Sequence, residues 1–146
     1  MSHTTTIGNV AIRDIAALKA ATDDLAKEGI NCSLAEKAHP RLWGQGPLCD
    51  YVLKLPACRF DVGFQKQADG SYVPITDLHG NLLGQHIGAS CPMPNSPEGR
   101  AQHAIGRLMQ KYTQHATVNQ ARKQGMSVAR SYTDDSGNVQ LVLNVA

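Results

Sequence analysis

Six residues in the second half of the chain, Arg100, His103, Arg107, Lys111, His115 and Arg122, recur at intervals that a helix gathers along one side. A row of guanidinium, ammonium and imidazole groups suits one chemistry above others. It holds phosphate, as a nucleotide, a signal nucleotide or a nucleic-acid backbone. Between Gly99 and Thr133 there are six Lys or Arg and no Asp or Glu, whereas the first 98 residues carry 8 basic and 10 acidic residues. The formal charge of +2 is therefore small but unevenly spread. The competing reading is a solvated helix face whose cations also suit the helix C-terminus.

Two further patterns touch on chemistry. His-x-Thr occurs twice, as His3/Thr5 and His115/Thr117, the short signature of a two-histidine phosphoesterase in which each His serves as general acid or base. The second copy falls inside a helical pattern rather than on a strand, which weakens it. His79, His86 and Cys91, with Cys58, offer metal-ligating atoms, but their spacing fits no standard zinc motif. No GxSxG elbow, Walker-type phosphate loop or GxGxxG fingerprint is present, so the expectation is a non-enzymatic chain with no cofactor.

The elements that must position these residues follow from local signals. Residues 3–12 suit an opening strand. Asp14 can cap a helix whose apolar stripe is Ile15, Leu18, Ala21 or Thr22, and Leu25, with Gly29 closing it. Its other face, with Lys19, Asp23, Asp24 and Lys27, reads as merely solvated. Strand-like pieces follow at 30–36, 49–56, 59–67 and 71–78, with "ADG" as the hairpin turn between the last two. Pro74 lacks an amide hydrogen, which predicts an edge strand or a bulge there. "HPRLWGQGPL" (39–48), with the single tryptophan, and the Gly/Pro-rich stretch at about 79–97 read as loops.

Ser96 and Pro97 start a second, long helix running to Gln124, about 28 residues or roughly 42 Å. Ala101, Ile105, Leu108, Met109, Tyr112 and Ala116 form its core side. A last hairpin, "MSVARSYT" and "VQLVLNV", turns around "DDSGN". The whole reads as a single α+β domain over residues 1–146, an antiparallel sheet with two helices packed on one face, the second helix long.

In order along the chain, "IRDIAALKAATDDL", "FDVGFQKQADGSYVPITDLHG", "LMQKYTQHATVNQARKQGMSV" and "GNVQLVLNV" resemble the hypothetical chloroplast open reading frame 35 family, small proteins of cyanobacteria, plastids, other bacteria and some bacteriophages. The resemblance implies an α+β domain without established catalytic activity or cofactor. Because members are encoded near an AAA-type ATPase in many genomes, it also implies such an ATPase as a partner. It carries over no catalytic residue.

The first residues lack a charged segment followed by an apolar core, and no apolar run approaches a membrane span, so a cytoplasmic location is expected with no membrane contact. The four cysteines are expected to stay reduced there. The function expected is a small binding or adaptor protein working through a protein partner or as a homo-oligomer, exposed sheet edges offering surfaces for assembly. The alternative is a phosphate-ligand binder using the six basic residues.

Overall fold

A computed structural model describes residues 4–8, 10–133 and 139–145, with the backbone alone for 127–133, 139, 141 and 143–145. The fold is α+β. Five antiparallel strands form one sheet in the order β1 (Thr4–Thr6), β7 (Tyr72–Asp77), β6 (Val62–Lys66), β5 (Cys49–Lys54), β2 (Ser33–Ala38). Two small two-stranded sheets accompany it: β3 (Arg41–Leu42) with β4 (Gly44–Gln45), and β8 (Met126–Thr133) with β9 (Val139–Val145). The helices are α1 (Ile15–Lys27), α2 (Gly84–Ile87), α3 (Pro97–Ala104) and α4 (Gly106–Lys123). No described helix is long and apolar enough to cross a membrane.

The first helix forms as its sequence dictates. Asp14 accepts a hydrogen bond from the Ala17 amide at 3.0 Å, Leu18, Ala21, Thr22 and Leu25 are buried, and Gly29 adopts a φ of 93° just past the end. At the start of α3, Ser96 accepts from the Gly99 amide at 3.0 Å, with Pro97 at the first helical position. The hairpin between β6 and β7 turns through Gly70 at φ 85°. The main core joins Leu18 and Leu25 of α1 to Leu53, Val62 and Phe64 of the sheet, and to Ala104 and Leu108 of α3 and α4. The opposite sheet face carries a smaller cluster in which Leu42 covers Cys49, Val52 and Ile75.

Besides the stretch 39–48, read as a loop but holding the β3–β4 hairpin, the structure departs from the sequence-based expectation in four places. The long second helix is two, broken at Ile105, whose φ of −115° and ψ of 18° are not helical. The cause is tertiary. The Ala89 amide donates to the His103 carbonyl at 2.8 Å, competing for the acceptor a continuing helix needs. The Ala89 backbone then lies so close that a Cβ on Gly106 would sit 2.5 Å from the Ala89 Cβ. Accordingly, the helical layer has more than the two helices expected.

The second departure is Pro74, which lies in an interior strand with regular register to Phe64. Its carbonyl accepts from the Ile7 amide at 2.9 Å, so its missing amide also faces the β1 side, where that strand has already ended at Thr6. Third, the stretch at 79–97 is not a bare loop. It holds a 3-10 turn (His79–Asn81) and α2, and it buries Leu83 and Ile87 completely. Fourth, the expected opening strand shrinks to three residues plus an isolated bridge between Ile12 and Tyr72. The "DDSGN" turn lies outside the described residues. Cys49 and Cys58 are buried, Cys32 is half-buried, Cys91 is exposed, and all four are free thiols.

One buried ion pair ties the two sheet faces together. Asp61, 1% exposed, accepts from the Arg41 amide at 2.9 Å, from its Nε at 3.0 Å and Nη2 at 2.8 Å, and from the Leu55 amide at 3.0 Å. Burial pushes the Asp61 carboxyl up, but the Arg41 guanidinium and the two amides outweigh it and hold it below the usual carboxylate range. The sign follows: this stabilisation is complete above the unfolded value of about 3.9 and fades as pH falls through the lower folded one. Asp61→Asn leaves Arg41 donors facing an amide and is expected to cost about 2–3 kcal/mol at pH 7, Arg41 being half exposed and able to recover some water. Urea midpoints read this, and the gap to the wild type narrows as the pH is taken down to about 3.

Candidate functional site

The basic row on α3 and α4 does not face water alone. Lys111 bonds Glu28 and Arg107 approaches the same carboxylate at 3.9 Å. His115 Nε2 meets Asp24 Oδ2 at 2.6 Å, and one turn further on Asn119 donates to Asp14 at 3.0 Å. The acids lie on and beside α1: of the face read as solvated, Lys19, Asp23 and Lys27 are exposed, whereas Asp24 turns to α4, joined by Glu28 just past the helix end. Burial pushes the Asp14 carboxyl up, but the Asn119 amide, the Ala17 and Ala16 backbone amides and the Lys123 charge together hold it below its usual range. Tyr112 adds an uncharged contact, its hydroxyl accepting from the Arg13 and Asp14 amides at 3.0 and 3.2 Å.

The remaining members of the row are disposed differently. His103 Nε2 donates to the Cys91 carbonyl at 2.7 Å, while its Nδ1 is buried and meets no partner. Arg100 Nε donates to the Pro94 carbonyl at 3.4 Å. Among the described residues no carboxylate pairs with Arg100 or Arg122. The six residues therefore form no single open phosphate cradle. Arg107 and Lys111 do edge a cavity of about 260 Å³ with Ser90, Cys91 and Gln110, but Glu28 lines it too. An anion entering there meets a carboxylate already in place.

The other patterns end without a shared site. His3 lies outside the described residues, and His115, within α4, is engaged by Asp24 of α1. His79, His86, Cys58 and Cys91 are not gathered; no metal-type cluster of His, Cys, Asp or Glu occurs among the described residues.

A feature the sequence reading passed over sits at the tip of the β3–β4 hairpin. Trp43 is 43% exposed, the Arg59 guanidinium lies 4.6 Å from its ring centre, and His79 meets it edge-on at 5.2 Å. Arg59 is itself exposed, and Leu48, just beyond the hairpin, is 62% exposed. A shallow hollow of about 170 Å³, lined by Thr4, Leu42, Trp43, Gln45 and Pro47, opens beside it. The available signal was a lone tryptophan in a Pro- and Gly-rich stretch. Its partners, Arg59 and His79, are brought to it by the fold alone.

If Glu28 neutralises the row as this geometry requires, removing it changes what the protein binds without changing its fold. Glu28→Gln is expected to elute from a heparin column at higher salt than the wild type. The stability change stays within about 1 kcal/mol, as for exposed ion pairs. Equal elution would show that Glu28 does not shield Arg107 and Lys111.

Residues 44–142, more than half of the chain, match the model of a family described as "Protein of unknown function (DUF1257)". No curated protein and no solved structure matches the chain.

Proposed function

The chain belongs to this DUF1257 family, and from its exposed surface we propose that it is a small, non-enzymatic binding or adaptor protein that works by docking a protein partner. The observation that carries the reading is Trp43, held outward on a two-residue-per-strand hairpin and braced by Arg59. A half-exposed indole costs free energy in water. Tryptophan and arginine are also the residue types that dominate binding at protein interfaces. Ordering is inexpensive because the stacked guanidinium and the edge-on imidazole already hold the ring in place.

The resemblance to the hypothetical chloroplast open reading frame 35 family suggests the kind of partner, an AAA-type ATPase encoded nearby. A second copy of the chain is the other candidate. The phosphate-ligand reading retains Arg100 and Arg122 as its least encumbered groups, since Glu28 and Asp24 compete for Arg107, Lys111 and His115.

The test is binding to the AAA-type ATPase of the same genome, and to itself by sedimentation velocity, for the wild type, Trp43→Ala and Arg59→Ala. Both side chains are exposed, so folding is expected to survive, which circular dichroism verifies. A loss of at least tenfold in affinity for one of the two partners is expected, as for a buried interface anchor. Equal affinity in the variants, or a wild type that is monomeric and indifferent to the ATPase, overturns the proposal.

A further inference from the structure

A third, separate cavity carries an inference that goes beyond protein docking. It has a volume of about 420 Å³ and is walled by Thr5 of β1, Leu78 and Asn81 after β7, Met93, and Pro97 and Ala104 of α3, with Arg100 among its lining residues. The lining is mostly apolar. Leu78 packs against the main core, Ala104 is buried, and Met93 stands 42% exposed. Among the described residues no Asp or Glu lines it. That distinguishes it from the cavity at Arg107 and Lys111, where Glu28 is already present.

Arg100 gives the cavity its polarity. Its Nε makes one long contact to the Pro94 carbonyl, 3.4 Å, and among the described residues it meets no carboxylate. A planar guanidinium beside an apolar hollow matches a carboxylate in two parallel hydrogen bonds. The volume falls in the range of small-molecule sites, which are largely apolar and oriented by a few polar groups. A single cation favours a singly charged head over a doubly charged phosphate, and the mostly apolar lining favours a hydrocarbon body.

We propose that this cavity binds a medium-chain carboxylic acid, its chain lying against Leu78, Met93, Pro97 and Ala104 and its carboxylate on Arg100. The break at Ile105 assists by ending α3 as a separate element, so that Arg100 need not share the orientation of the cations on α4.

The probe is decanoate, titrated calorimetrically below its micelle-forming concentration into the full chain, with decanol and decyl phosphate as comparisons. Expected is saturable binding of one decanoate per chain, weakened about tenfold in Arg100→Ala, the loss typical of a charge-assisted hydrogen bond. Arg100→Lys recovers part of it, and Met93→Glu, an exposed change that sets a like charge at the rim, weakens it further. Decanol binds more weakly than decanoate and is indifferent to Arg100→Ala. Absence of saturable heat, or decanoate binding unchanged in Arg100→Ala, overturns the site. Tighter binding of decyl phosphate than decanoate overturns the carboxylate assignment.

Discussion

The buried carboxylate of Asp61 is the constraint around which the sheet is organised. An isolated charge in an apolar interior costs several kcal/mol, and it survives there only when its lone pairs are filled. Three donors of Arg41 and the Leu55 amide fill them, and Arg41 Nη2 also reaches the Leu55 and Cys58 carbonyls at 2.7 and 2.9 Å. Residues 41, 55, 58 and 61 are thereby drawn to one point. That point anchors the β3–β4 hairpin onto the sheet face opposite the helices. Gly63 makes the fit possible, since a Cβ there would lie 2.7 Å from the Cys49 sulfur and 2.9 Å from the Pro40 ring. With Leu42 pinned inward, Trp43 at the hairpin tip is turned outward. The exposed aromatic surface is thus a consequence of the buried ion pair.

On the helical side the same economy of charge operates with weaker contacts. The uneven charge of the chain is resolved inside the fold, where acids of the first helix and its ends meet cations of the last. Each such exposed pair contributes about 1 kcal/mol or less. Their effect is on orientation: Glu28 meets Arg107 and Lys111, Asp24 meets His115, and Asp14 meets Asn119, so partners run in opposite order along the two helices. Apolar burial of Leu18, Leu25, Leu108 and their neighbours supplies the attraction. The charges select which packing is kept.

What could be read from the chain was what is decided locally. The Asp14 cap, the Ser96–Pro97 start, the Gly29 and Gly70 turns and the Leu18–Leu25 stripe each depend on residues a few positions apart, and each stands in the structure. What escaped depends on residues far apart. The break at Ile105 is made by Ala89, and Pro74 is tolerated because β1 stops at Thr6. The partners of Lys111 and His115 lie 83 and 91 positions away. A helical projection of residues 100–122 shows which cations share a side, but not what faces that side. The α+β class survived these misses because it rests on the order of elements rather than on their ends.

The break at Ile105 also explains why one basic row serves unlike surroundings. In a continuous helix, Arg100 and Arg107, seven positions apart, share a face and hence a neighbour. Here the ladder is interrupted between them, and α3 and α4 are free to follow different paths. Downstream, Arg107, Lys111 and His115 are spent on holding α1. Upstream, Arg100 sits beside an apolar cavity, and among the described residues no acid pairs with it. A cation engaged by a neighbouring helix adds to packing specificity, whereas one left beside a hollow keeps its binding capacity. The backbone hydrogen bond from Ala89 to His103, by ending α3 where it does, decides which cation is which.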